Sequence, residues 1–275
     1  MSTPNKRKLI PCAISAALAL AAAQVSWGQD NGDDEEEELE FEEADLFFEL
    51  NNTDGDLGLQ GFVEGDAWKS LEIAGPERDD ESEEPVLMRI WVRNALRRQG
   101  LSEFFFESDE PGFDELSPAA FFKRFPQGIY EIEGITLDDE EIESEVFLSH
   151  VMAGPPPGNV KVNGQNSPAN CDAPNLPVVT EPVTIDWNPV TQSHPTIGTP
   201  GVAVQVHHYE VVGEIERETN PQEPVLSVIL PRNRTKFEFP VGFTSLAEDE
   251  MKWELIIVLN NGNKTAVESC FEIER

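Results

Sequence analysis

Positive charge is scarce in this sequence: 19 Lys and Arg stand against 53 Asp and Glu in 275 residues, a formal net charge of −34. Nucleic acids are bound by neutralising their phosphates, so a nucleic-acid partner is excluded. An anionic lipid surface is disfavoured for the same reason. Proteins, neutral ligands such as glycans, and cations remain as partners. The chain also lacks GxSxG, P-loop, HExxH and CxxC patterns. Paired carboxylates identify nothing in so acidic a chain, because some pair always falls at glycosidase spacing. The expectation is a protein that is not an enzyme.

Long apolar runs are equally rare. One stands at the N-terminus, where Lys6, Arg7 and Lys8 precede an apolar stretch over residues 9–23. It is shorter than the ~20 residues a spanning helix needs and reads as a signal peptide over residues 1–28. An uncleaved anchor is the alternative. Cleavage after Gly28 removes three positive charges, and no later segment approaches spanning length. The expected location is therefore secreted or periplasmic, with no stable membrane insertion after cleavage.

Cysteine is nearly absent too. Cys12 leaves with the leader, so only Cys171 and Cys270 remain. An even pair in an oxidising compartment points to one disulfide, with two unrelated thiols as the alternative. Such a bridge would close a loop of roughly 100 residues, worth about 4.7 kcal/mol in the chain-entropy model.

What the chain does have is alternation. Residues 33–49 carry eleven acids and no base, and residues 29–43 read as an acidic disordered spacer. From 44 to 152, strand-like runs recur at 45–50, 57–64, 68–73, 86–93, 102–107, 128–134 and 142–150. One short helix is expected over 117–125, with Ser117 as cap, Pro118 in the first turn and Phe121, Phe122 and Phe125 as its apolar stripe. Residues 153–175 are rich in Pro, Gly and Asn and read as a stiff linker. The fold class expected is all-β, two β-sandwich modules in tandem, the second covering 176–275.

That second module resembles a fibronectin type III domain. The stretch PVTIDWNPV at 182–190 is similar to the family's second strand, which implies that Ile185 and Trp187 face the core. VQVHHYEVVGEIE at 204–216 resembles its third strand, with Tyr209 and Val211 inward. SVILPRNRTKFEFP implies burial of Phe237 and Phe239 with Lys236 and Glu238 outside. The last hairpin carries Asn261-Gly262, which suits a tight turn. Leu246 and Trp253 depart by one residue from the family's spacing at the sixth strand, so that corner must be built differently. The family's Arg-Gly-Asp triplet is missing; the turn reads NNGNK. The resemblance implies a binding or spacing module outside the cell, and it places Cys171 and Cys270 near each other at first and last strands.

Three further patterns bear on function. Asn52, Asp54 and Asp56 alternate as oxygen ligands do in calcium loops, although Leu57 stands where such a loop wants Gly; a hairpin turn at Asp54-Gly55 is the other reading. Calcium is the one cofactor this suggests. Arg89, Arg93, Arg97 and Arg98 form the basic cluster, and on a strand Arg89, Trp91 and Arg93 would share one face as a ligand-binding ridge for an acidic segment such as residues 35–38 or an anionic glycan. The bland reading is an edge strand guarded by charge. His207 and His208, being adjacent on a strand, should face opposite sides. Glycosylation sequons stand at Asn51, Asn233 and Asn263. The function expected is recognition of a protein or glycan of the cell surface, with an accessory or catalytic module of a secreted hydrolase as the alternative. A glycan platform would need two or three of Trp68, Trp91, Phe105 and Tyr130 exposed together. A separate reading takes the acidity as adaptation to high salt.

Overall fold

Where apolar and polar side chains alternate one by one, an extended strand puts all the apolar ones on one side. The computed structural model describes residues 39–76, 85–215 and 224–274, of which about half are strand, and Glu38–Arg275 forms one compact unit. In chain order the elements of the first half are β1 (Leu39–Glu40), β2 (Glu43–Asn51), β3 (Asp56–Ala74), β4 (Val86–Trp91), α1 (Asn94–Gln99), β5 (Leu101–Glu107), α2 (Pro118–Arg124), β6 (Gly128–Thr136) and β7 (Glu141–Leu148). Those of the second are β8 (Lys161–Val162), β9 (Gln165–Asn166), β10 (Val178–Val179), β11 (Thr184–Asp186), β12 (Val206–Glu214), β13 (Val225–Pro231), β14 (Lys236–Glu238), α3 (Val241–Thr244), β15 (Glu250–Leu259) and β16 (Lys264–Ile273).

The N-terminal sandwich is organised by β3. Its first stretch pairs with β2 and β5, its second with β4 and β6, and the ladders shift between Glu64 and Trp68. Two runs expected as separate strands are thus one strand with an irregularity in it. Both stretches enclose one core, in which Phe48, Leu57, Leu59, Trp68, Ile73, Tyr130 and Ile132 are buried. α2 closes that core. Ser117 caps it by accepting the Ala120 N–H, and Phe121 and Phe122 pack edge-on against Phe48.

The C-terminal sandwich sets β14, β11, β8 and β9 against β13, β12, β15 and β16. Ile185, Trp187, Tyr209, Val211 and Phe239 are buried as the family resemblance implies, with Lys236 and Glu238 outside. Phe237 is only half-buried and stacks edge-on against Phe239 at 5.1 Å. The irregular corner is made by α3: Thr244, fully buried, donates its hydroxyl to Glu181 at 2.6 Å, while Leu246 stays largely exposed. Cys171 and Cys270 form a disulfide, with Cα atoms 4.8 Å apart across a sequence separation of 99.

Several expectations need correction. Residues 1–28, expected to be a signal peptide, and residues 29–38 lie outside the described residues, so those two expectations stand as they were. The last part of the expected spacer, however, is folded: β1 pairs with β7, and Phe41 is buried against Gly134 and Ile142 because Leu39 and Phe41 alternate with glutamates. Residues 153–166 are no tether. Ala153, Val160 and Val162 are core residues, β8 pairs with β11, and Asn163-Gly164 makes a tight turn to β9 with both φ angles positive. Nor are the sandwiches held apart. β16 pairs in parallel with β2, Lys264 opposite Glu49 through Ala266 opposite Asn51, so a single twelve-stranded sheet runs through both. Two short helices, α1 and α3, join the one expected. Among the described residues, no helix is long and apolar enough to cross a membrane.

Candidate functional site

The basic cluster lies where β4 ends. Arg89 and Trp91 do share a strand face, but Arg89 is spoken for: it sits opposite Glu72 and forms a two-pronged ion pair with it at 2.5 and 2.7 Å. Val92 then turns into the core and its N–H donates to the Lys69 carbonyl of β3. Arg93 therefore stands at the start of α1 and not on the strand. Asn94, with φ of 56°, turns the chain outward, and α1 buries no residue at all. Among the described residues Arg93, Arg97 and Arg98 have no ion pair. Trp91 is 59% exposed, and Leu96 on α1 is 48% exposed.

Two hollows meet at that indole. An open basin of about 450 Å³ is lined by Trp91, Val92, Arg93, Asn94 and Arg97. On the other side a groove of about 290 Å³ runs past Arg89 and Glu72 toward Glu133 and Glu143. The groove follows from strand register: Arg89, Glu72, Glu133, Glu143 and Glu40 stand opposite one another across five strands. Partial burial first, and then Glu131, Glu72 and Glu143, hold the Glu133 carboxyl above its usual range. Trp91 thus divides a cationic basin from an acidic sheet face.

The aromatic platform does not form. Trp68 and Tyr130 are core residues; Trp91 and Phe105 are exposed, but on β4 and β5, which pair with different stretches of β3.

The loop of Asn52, Asp54 and Asp56 is a hairpin turn between β2 and β3, with Gly55 at φ 71°. Asn51 organises it by accepting the N–H groups of Thr53 and Asp54. Asn52 points elsewhere, its Oδ1 3.0 Å from His194 Nε2. Asp54 and Asp56 stay near each other, and burial, then Asp54, Glu268 and Glu49, push Asp56 up to about 6. Of the three expected ligands, Asn52 is thus engaged by His194, while Asp54 and Asp56 stay on the turn. Among the described residues, no three His, Cys, Asp or Glu side chains form a metal-binding group.

A second acidic group, which sequence reasoning missed, covers the outward face where the two sandwiches join. Burial, then Glu268 and Glu49, push Glu254 up to about 8; burial, then Glu49, Glu107 and Asp56, push Glu110 to about 8. Lys252 pairs with Glu268 at 2.9 Å, and Lys264 lies 3.7 Å from Glu49 and over the Phe47 ring. The signal in the sequence was the two lysines, Lys252 and Lys264, in a region otherwise dominated by glutamate.

The histidine expectation is overturned. A register irregularity between Val206 and His208 brings the two imidazoles together, with Nδ1 atoms 2.7 Å apart. Of the three sequons, Asn233 is exposed, Asn51 is engaged in its own turn, and Asn263 is fully buried.

No family model matches the chain, and no curated protein does. Among solved structures it is similar to the chicken CNTN1 FN1-FN3 domains, at 10% identity over 87% of this chain and 70% of that one, with a TM-score of 0.30. It is also similar to a tetra-tandem repeat in the extending region of a large adhesion protein, at 10% identity over 84% of this chain and 50% of that one, TM-score 0.25. A third is a bacterial ice-binding adhesin, at 11% identity over 86% of this chain and 66% of that one, TM-score 0.23. At these values the fold assignment rests on the strand order and cores described above.

Proposed function

We propose that this chain is a non-catalytic binding and scaffold protein of the cell envelope or exterior, and that it takes an acidic segment of a partner protein in the basin beside Trp91. The observation that carries the reading is an exposed indole flanked by Arg93 and Arg97, which have no ion pair among the described residues, on a helix that buries no side chain in the core. Tryptophan and arginine are among the residue types enriched at binding hot spots. The guanidiniums take carboxylates in paired hydrogen bonds, and the ring supplies apolar area. The Cys171–Cys270 disulfide supports a location outside the reducing cytosol. The missing aromatic platform removes the support for a neutral glycan.

Calorimetric titration of the full chain with a Glu-rich peptide and, separately, with a sulfated oligosaccharide tests this. The peptide binds, and Trp91→Ala or Arg93→Glu weakens it by about tenfold or more. Binding that ignores both substitutions, or that occurs only with the oligosaccharide, overturns the reading. Turnover of glycosidic or ester substrates by the purified chain would overturn the non-catalytic part.

A further inference from the structure

We infer that His207 and His208 form a two-imidazole site for Cu(II). The inference is independent of the basin beside Trp91. Adjacent residues on a regular strand point to opposite faces of a sheet and cannot share an ion. Here the strand is not regular. Val206 stands opposite Leu259 and His208 opposite Val258, so His207 is an extra residue between two consecutive partners, and the bulge brings its ring to that of His208. The two Nδ1 atoms lie 2.7 Å apart. The chain just before the bulge is fixed as well: Asn260 donates its backbone N–H to the Gln205 carbonyl and its side-chain amide to Gln205 Oε1.

Neutral imidazole is the commonest metal ligand among side chains. The other two histidines are held elsewhere. His150 Nε2 lies 2.8 Å from the Phe125 carbonyl, while His194 Nδ1 accepts the N–H groups of Thr196 and Ile197 and its Nε2 meets Asn52. His207 is exposed and His208 half-buried, and among the described residues their ring nitrogens meet each other.

The separation selects the ion. A metal sits about 2.0–2.1 Å from an imidazole nitrogen, so two nitrogens this far apart subtend an angle of about 80–85° at it. Tetrahedral Zn(II) wants about 109°, which needs nitrogens roughly 3.3 Å apart. An angle near 90° belongs to tetragonal Cu(II) and Ni(II), and Cu(II) is bound most tightly in the divalent series. Water fills the remaining positions, since among the described residues no three His, Cys, Asp or Glu side chains form a metal-binding group. Two charged side chains act on His208. Glu210 attracts a cation, although its carboxylate also takes the Ser227 hydroxyl; Lys264 repels one, but lies 3.7 Å from Glu49. Copper in an oxidising compartment is Cu(II), in line with the Cys171–Cys270 bridge.

Titration of the metal-free full chain with copper(II) chloride at neutral pH in an amine-free buffer, followed by electron paramagnetic resonance, tests this. The first copper bound should give a tetragonal spectrum with hyperfine splitting from two nitrogens, and an equal concentration of Zn(II) should not displace it. His207→Ala and His208→Ala should each weaken that binding by about tenfold or more, with unchanged far-ultraviolet circular dichroism. A first copper with oxygen ligands alone, an affinity indifferent to both substitutions, or Zn(II) bound as tightly as Cu(II) would each overturn the inference. Should one variant fail to fold, the other decides.

Discussion

Asn263, wholly buried in the turn between β15 and β16, accepts the N–H of Phe48 at 2.8 Å from a position 215 residues away in sequence. Its amide nitrogen donates to the carbonyls of Ser149 and Val151 at 2.7 and 3.0 Å. One side chain therefore satisfies three backbone groups of the N-terminal sandwich from within the C-terminal one. Thr265, also buried, adds a bond to the Ala153 carbonyl. Replacing Asn263 by Ala takes the side-chain partner from the Phe48 N–H and the Ser149 carbonyl, while Val151 keeps the bond from Asn261, at about 1–3 kcal/mol for each group that water cannot reach. Urea unfolding should show a loss of roughly 3 kcal/mol in Asn263→Ala. A loss below about 0.5 kcal/mol, the range of ordinary surface changes, would mean the clamp is decorative.

Glu254 sets a pH dependence. An unfolded glutamate loses its proton near 4.5, whereas the folded chain holds this one to about 8. Folding thus gains from the protonated carboxyl below pH 4.5, and the gain drains away as pH rises to 8. Melting temperature should fall across that window. Glu254→Gln should raise it by a few degrees at pH 8 and leave it unchanged at pH 4, given about 2–4 °C per kcal/mol for a chain of this size. Equal shifts at both pH values would assign the effect to packing instead of the proton.

The disulfide ties a loop before β10 to the last strand. Closing a loop of this length is worth about 4–5 kcal/mol in the chain-entropy model. Cys171→Ser with Cys270→Ser, compared with the oxidised chain by urea unfolding, should lose a comparable amount. No change in midpoint would show that the folded sheet already constrains these ends.

Self-repulsion from a charge of −34 is screened by salt. Potassium chloride should accordingly raise the melting temperature by several degrees. A flat or falling response would mean that local pairs such as Lys252 with Glu268 outweigh the global field.

Much of this was legible in the sequence, and the reasons for the rest are specific. Tyr130 and Ile132 alternate with Glu131 and Glu133, a local signal that needs no partner to be read, and Ser117-Pro118 announces α2 just as locally. Asn163-Gly164 was legible too, but the prolines around it read as a linker. The pairing of β2 with β16 was not legible. It joins residues over 200 positions apart, and nothing in either strand's own pattern names the other. The same holds for the basin, since the pairing of Arg89 with Glu72 depends on the register of β4 against β3. The bulge at His207 breaks the alternation rule, and one extra residue in a ladder leaves no trace in composition.

Differential scanning calorimetry of the full chain tests the central claim, that two sandwiches share one sheet and fold as one body. The account predicts one transition in which calorimetric and van't Hoff enthalpies agree. Two resolved transitions, with only one of them moved by Asn263→Ala, would contradict it.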